Sequence, residues 1–381
     1  MKRYCLKCGR ISVDGNRWCP EIDCPAEEGP ALLDFGDYLG DVKVVKFRRM
    51  LRSSAIYEAE RGKDKLLLKV ANPGEECAER LRREAKILAA LRPPLAPPLV
   101  KAFVAQPRPA LPVLMPPYQN SPNLYGDITF RGERKVYAVF QYAKGVFLND
   151  LLVENPQPWH DAAAWMVIDV AEALRPLVGK ATHLCICPDM ILVDTDSKGY
   201  YRPLPLDLGL VLSKLEREES QAFWLQFSKP AYTPPEMVAL EKKVASVPPA
   251  VDVYSLGMVL REMLVGQPAF VSKLARDGEV REAVRRHRGV LSLNRPELPK
   301  EASAIVEKAV ALSPSERFPD LNQFAAALRK VFGRSPREAL PRPVGQWVVL
   351  VLAIILVLLL VGIVVGAILV QAVPSILSGL G

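Results

Sequence analysis

From Pro343 to Gly381 the chain carries no charged residue. Residues 347–373 within this tail read WVVLVLAIILVLLLVGIVVGAILVQAV. About 20 consecutive apolar residues cross the hydrocarbon core of a bilayer as a helix. This run is longer, so it can span with some tilt. A helix that is apolar on every side has no exposed face to offer on a soluble fold. The spacing therefore predicts one transmembrane helix over 347–373, with everything before it folding in water.

Flanking charge sets the orientation. Arg329, Lys330, Arg334, Arg337 and Arg342 precede the span, opposed locally by Glu338, and nothing basic follows it. The positive-inside rule places the N-terminal bulk in the cytoplasm of a single-pass protein of the cell membrane. Residues 333–346 read as a basic juxtamembrane linker, and 374–381 as a short tail beyond the bilayer. Anionic lipid near such a linker is attracted at about 1 kcal/mol per charge. Gly362 and Gly366 form a G-x-x-x-G pair, which lets two membrane helices approach closely and allows a homodimer.

The net charge of +8 comes from 50 Lys and Arg against 42 Asp and Glu, without a basic tract. That suits solubility and a membrane surface, and nucleic acid is not an expected partner. Half of the 381 residues are hydrophobic, enough for a large core. No apolar run follows Met1-Lys2-Arg3, so no secretory leader is expected. Ten prolines fall between Pro93 and Pro122 and predict an extended loop, a candidate binding surface.

Four of the seven cysteines lie in the first 24 residues, as CLKCGRISVDGNRWCPEIDC over 5–24. Cys5 and Cys8 form a C-x-x-C pair followed by Gly9, and Cys19 and Cys24 are separated by four residues. Two such pairs predict a structural zinc site in which four thiolates close the metal's shell. A segment this small has no apolar core of its own, so the metal would supply its folding energy. Residues 1–30 resemble the zinc-ribbon modules of many bacterial proteins, and Ala26 to Pro30 read as a linker after them.

The body carries a series of short motifs. Lys65-Leu66-Leu67-Leu68-Lys69-Val70 is a strand, and Glu79 to Leu91 is a helix with Leu81, Ile87, Leu88 and Leu91 on its apolar face. Tyr137 to Tyr142 reads YAVFQY and precedes Lys144-Gly145. Asp161 to Leu177 is a long buried helix. His183 to Val193 reads HLCICPDMILV. Pro205-Leu206-Asp207-Leu208-Gly209, Tyr232-Thr233-Pro234-Pro235-Glu236, Asp252-Val253-Tyr254-Ser255-Leu256-Gly257 and Glu316-Arg317-Phe318 follow in order.

These motifs resemble, in order and spacing, those of protein kinases, with bacterial Ser/Thr kinases as the implied kin, over roughly residues 37–332. The resemblance implies an α+β, two-lobed kinase-like fold, here with a zinc ribbon before it and a membrane helix after it. It makes Lys69 the phosphate-contacting lysine, Glu84 its partner, Phe140 the residue at the back of the nucleotide pocket, and Gln141 and Tyr142 part of the hinge. Asp207 takes the position of the magnesium-binding aspartate, with ATP and magnesium as the implied ligands. Asp252, Glu236 and Arg317 match residues that hold the fold together.

The machinery departs from the family pattern. Cys185 stands at the catalytic aspartate position, Cys187 at the catalytic-loop lysine and Met190 at the metal-binding asparagine. The glycine-rich loop carries Arg49, Leu51 and Ser54 at its three glycine positions, where backbone amides must approach phosphate. Arg48, Arg49 and Arg52 read there as a solvated basic turn. Lys229 replaces a threonine that links the catalytic residues. No catalytic residue is intact, and phosphotransfer is expected to be absent or very weak. Three readings follow: a membrane-anchored pseudokinase acting as scaffold or allosteric partner for other proteins; a kinase of residual activity with Asp189 or Asp194 as base; and an adaptor that recruits through its zinc module and proline-rich loop. Cys185 and Cys187 with His183 also form H-x-C-x-C, read as small apolar residues of a buried loop.

Overall fold

The computed structural model describes residues 2–6, 8–13, 19–20, 24, 29–90, 102–103, 124–178, 181–184, 186–197, 199–207, 212–213, 227–238, 247–270, 276–289, 291, 293, 295–333, 335 and 354–363. Two units are distinct, Met1–Gly333 and Arg334–Gly381.

The first unit begins with a small antiparallel pair, β1 (Arg3–Tyr4) and β2 (Ile11–Ser12). Next comes an antiparallel sheet with β3 (Tyr38–Leu39), β4 (Val42–Met50), β5 (Ser54–Arg61) and β6 (Asp64–Ala71) side by side. Strand β9 (Glu133–Gln141) lies beyond β6, and its other edge is shared by β7 (Ala102–Phe103) and β8 (Gly126–Phe130). Helix α1 (Glu75–Ala90) follows β6 and begins four residues earlier than the sequence suggested, with Glu75 and Glu76 in its first turn favouring the positive end of the helix dipole.

The two faces of this sheet do different work. Leu39, Val44, Tyr57, Leu66, Leu68, Tyr137 and Val139 form one buried face, and Leu32 and Leu33 pack there with Tyr4 and Phe47. Alternate residues of the same strands, Ile56, Leu67, Ala138 and Phe140, join a core that continues into the second lobe. Period-2 alternation places Lys69, directly opposite Ala138, on that second face.

The second lobe contains β10 (Val146–Phe147), α2 (Leu148–Glu154), α3 (His160–Leu174), β11 (Ala181–Thr182), β12 (Ile191–Thr195), β13 (Tyr201–Pro205) and β14 (Leu212–Ser213). It continues through α4 (Pro235–Val238), α5 (Ala250–Val265), α6 (Asp277–Arg286), α7 (Lys300–Ala309) and α8 (Leu321–Phe332). The expected helix over 161–177 is α3 followed by a 3₁₀ turn at Arg175–Leu177, because Pro176 has no N–H to continue the ladder. Helix α5 is buried on nearly every side and ends at Gly266, whose φ of +85° suits the left-handed position after a helix.

The linker reading fails where it can be checked. Gly29 and Pro30 are buried, the Tyr4 N–H donates to the Pro30 carbonyl at 3.0 Å, and Arg3 donates to the Gly29 carbonyl at 2.9 Å. The reason is the apolar face of the sheet: Leu32 and Leu33 bind to it and pull the preceding residues down. Residues 26–28, and the proline-rich stretch apart from 102–103, lie outside the described residues.

In the second unit, residues 354–363 are helical, and the large apolar side chains there are exposed. Among the described residues no helix is long and apolar enough to cross a membrane. The rest of the 347–373 run, with Gly366 and the 374–381 tail, lies outside the described residues, and Gly362 is within the helical stretch.

Candidate functional site: the cleft between the lobes

The cleft is built around four buried charges. Strand β6 presents Lys69, whose ammonium donates to Glu84 at 2.5 Å and to Asp207 Oδ1 at 2.6 Å. Arg80 donates to the other oxygen of Asp207, Oδ2, at 2.7 Å. All four residues are at most 5% exposed. Burial alone would raise the Asp207 carboxyl, but Arg80 and then Lys69 outweigh it and hold it down at about 2. Asp207 also has φ of +67°, a strained backbone for a non-glycine residue, and its carboxylate is anchored on both sides.

Lys69 and Glu84 thus pair as the motifs implied, and Asp207, implied as a magnesium ligand, is instead held by Lys69 and Arg80. Arg80 was missed. The signal was present: Arg80 and Glu84 are four apart on α1, so both share the helix face turned toward the cleft.

The catalytic loop has the expected frame and different contents. Asp252 of α5 accepts from the backbone N–H groups of His183 at 2.7 Å and Leu184 at 2.9 Å. These bonds hold Leu184 at φ of +70°. Burial pushes the Asp252 carboxyl up to about 6 although both N–H groups pull it down. Burial likewise pushes the His183 imidazole down to about 4, and neither ring nitrogen has a partner among the described residues. Cys185 lies outside the described residues. Cys187 and Met190 are both buried, at either end of a 3₁₀ turn, and the Leu206 N–H donates to the Met190 carbonyl at 2.8 Å. Met190 is thus fixed beside the segment leading to Asp207.

Asp189, weighed as a substitute base, is engaged by cations from two sides. Lys229 forms an ion pair with Asp189 Oδ2, and Arg49 approaches Oδ1 at 3.6 Å. Asp194 sits farther along β12, opposite Arg202.

The arginine turn is not solvated, which corrects the sequence reading. Arg49 pairs with Asp150 of α2 at 2.9 Å, Arg48 with Glu58 and the Gly145 carbonyl, and Arg52 with Asp277 of α6. A register shift in β4 between Phe47 and Arg49 accompanies this reach: with Arg48 at the bulge, Arg48 turns to β5 and the Gly145 carbonyl while Arg49 reaches α2. Leu51 and Ser54, at the other two glycine positions, are buried, and the turn is pinned by Asn72, which donates to the carbonyls of Leu51 and Arg52 at 3.2 and 3.0 Å. Gly145 has to be glycine, because a Cβ there would lie 2.3 Å from the Val193 carbonyl oxygen. Along the hinge, Phe140 is buried, Gln141 is exposed and Tyr142 is half-buried, with Lys65 over its ring at 6.0 Å.

The fold-holding pair is formed as well. Arg317 donates to both oxygens of Glu236 at 2.7 Å and to three backbone carbonyls of Ala250, Ala311 and Leu312.

At the N-terminus the sulfurs of Cys5, Cys8, Cys19 and Cys24 lie within 4.8 Å of one another. Cys5 and Cys24 are separated by 3.6 Å, and Cys8 and Cys19 by 3.5 Å. A tetrahedral zinc with Zn–S of about 2.3 Å needs sulfurs about 3.8 Å apart, so the cluster fits that ion. The Cys8 N–H points at the Cys5 sulfur at 3.5 Å, as a turn around a metal requires.

The magnesium implied by the motifs fits less well. Hard cations take oxygen ligands. Asp207 has both oxygens engaged by side-chain cations, and Met190 offers a thioether.

Residues 65–328 match the protein kinase domain family. The serine/threonine-protein kinases ULK3 of Rattus norvegicus and Homo sapiens are each 28% identical over 191 residues, which is 50% of this chain and 38% of theirs. The chain thus spans well under half the length of these curated relatives. Among solved structures, a double mutant of the Mycobacterium tuberculosis PknI kinase domain is similar with a TM-score of 0.55 at 19% identity, over 80% of this chain and 100% of that one. The unmutated PknI kinase domain gives 0.52 at 19% identity, over 78% and 99%. The fold is shared with these domains, and the family as a whole suggests ATP and magnesium as ligands. On the match over residues 65–328, the chain belongs to the protein kinase domain family.

Proposed function

We propose that this protein is a membrane-anchored pseudokinase that works as a signalling scaffold or allosteric partner and does not transfer phosphate at a useful rate. The observation that carries the reading is the state of Asp189. With Cys185 at the proton-acceptor position, Asp189 is the carboxylate on the loop left to serve as base, and it is paired with Lys229 and flanked by Arg49. A base worth about 10²–10⁴-fold in rate is thereby lost. Phosphate cradling suffers too, since Arg49, Leu51 and Ser54 replace the glycines, and so does electrostatic positioning through metal. Lys69, Glu84, Phe140, Gln141, Tyr142 and Asp207 leave weak nucleotide binding open.

Zinc on Cys5, Cys8, Cys19 and Cys24 would be structural, because four thiolates leave no open position. The 347–373 run would anchor the body, comprising 1–30 and 37–332, to the cytoplasmic face of the cell membrane, next to anionic lipid and, through Gly362 and Gly366, beside a second copy. Transfer of labelled γ-phosphate by the full chain to itself and to a generic acceptor protein tests the reading. No label is expected. Label that disappears in Asp207→Asn would favour a kinase of residual activity instead.

A further inference from the structure

We infer that Arg80 is a built-in counter-ion of the cleft, standing on Asp207 where a nucleotide-bound divalent cation would have to bind, so that this site takes no magnesium. The inference concerns the metal and goes beyond the absence of phosphate transfer.

The geometry is specific. Lys69 holds Oδ1 of Asp207 at 2.6 Å and Arg80 holds Oδ2 at 2.7 Å. Arg80 is no surface arginine with room to swing away: its side chain is 2% exposed, and the guanidinium lies over the Phe227 ring at 4.9 Å. Charge also balances. Lys69 and Arg80 supply two positive charges, and Glu84 and Asp207 two negative ones. A divalent ion added to this set leaves a buried excess of positive charge. Expelling Arg80 to make room strands a guanidinium among apolar neighbours. Both are costly in a medium of low polarity.

The other position on which a divalent cation would depend gives no help. Met190 is 1% exposed and carries a soft thioether, where magnesium demands oxygen in near-octahedral geometry. Met190 in place of an oxygen ligand and Arg80 on Asp207 both leave a divalent cation without a place in this cleft. Asp207 is neutralised by Lys69 of the sheet and Arg80 of the helix, with no bound cation needed.

The test reads metal and coupling, and phosphate transfer plays no part in it, so it can fail while the pseudokinase reading stands, or the reverse. Manganese is the probe, followed by electron paramagnetic resonance on the full chain in detergent, with and without ATP. Wild type and Asp207→Asn are expected to bind the same amount. Manganese bound by wild type and lost in Asp207→Asn would overturn the inference. The second readout is a thermal double-mutant cycle. The Tm losses of Arg80→Met and Asp207→Asn should exceed in sum the loss of the double variant, because each single change strands the other's charge. Additive losses would overturn the claim that Arg80 neutralises Asp207. If Arg80→Met does not fold, the manganese measurement still decides.

Discussion

Arg49 crosses the cleft to Asp150, its guanidinium nitrogen 2.9 Å from a carboxylate oxygen of a residue 101 positions away. The arginine occupies a position where the family pattern has glycine, and it turns an open phosphate-binding turn into a tie between lobes. Arg48 and Arg52 add two more ties, to the Gly145 carbonyl and to Asp277. The turn that would close over a nucleotide is instead fastened to the second lobe by its own side chains.

Removing that tie should open the cleft at little cost in stability. The Asp150 side chain is half exposed although that of Arg49 is only 12% exposed, and an ion pair with one partner in solvent contributes about 0–1 kcal/mol. Arg49→Ala is expected to stay within about 1 kcal/mol of wild type and to bind a fluorescent ATP analogue several-fold more tightly, measured by anisotropy. Unchanged affinity would show that Arg49 does not stand in the nucleotide's way.

Acid stability should report on Asp207. Its folded-state value of about 2 lies below the ordinary aspartate value of about 3.9. A depressed carboxylate contributes stability above the unfolded value and loses it as pH falls through the folded one. Wild type should therefore lose on the order of 2 kcal/mol from this group between about pH 4 and pH 2. Asp207→Asn should be less stable at neutral pH and lack that part of the acid limb in urea titrations. A variant whose acid limb matches wild type contradicts the assignment.

Arg317 is the fold-holding residue with most to lose. Its side chain has no exposure and five hydrogen bonds, two of them to Glu236. Arg317→Ala strands Glu236 and three carbonyls, and should cost about 3 kcal/mol. Chemical denaturation of the full chain checks it. A loss below about 1 kcal/mol would place the pair among surface contacts.

Metal removal should be felt in the sheet. Tyr4, next to Cys5, packs at a tilt against the Phe47 ring, centroids 5.6 Å apart, and Phe47 meets Tyr57 edge to face at 5.7 Å. A strong chelator is expected to remove one zinc per chain, lower Tm and raise hydrogen exchange along β4 and β5. A metal-free preparation with unchanged exchange there would refute the zinc assignment.

Much of this arrangement was legible in the residues. The Lys69–Glu84 pair, the Glu236–Arg317 pair and the Asp252 anchor follow from motif order, because each motif fixes a backbone geometry that few residue types satisfy. The roles of Arg49 and Arg52 were not legible, and that of Arg80 was signalled only by its place one helical turn before Glu84. Each depends on a partner far away in the chain, and a basic residue has no periodicity that distinguishes a solvated charge from a buried pair. The bulge in β4 at Arg48 likewise carries no composition signal. Gly29 and Pro30 look like a linker by composition, yet the apolar sheet face beneath Leu32 and Leu33 decides their fate.

The most direct measurement of the central claim is single-turnover transfer of γ-phosphate by the full chain in detergent, for wild type, Cys185→Asp and Asp207→Asn. If the cleft is closed by its own side chains and lacks its base, all three should give the same background. Cys185→Asp should not rescue transfer, because Met190, Cys187 and Arg49 remain. Transfer by wild type above the Asp207→Asn background would contradict the account.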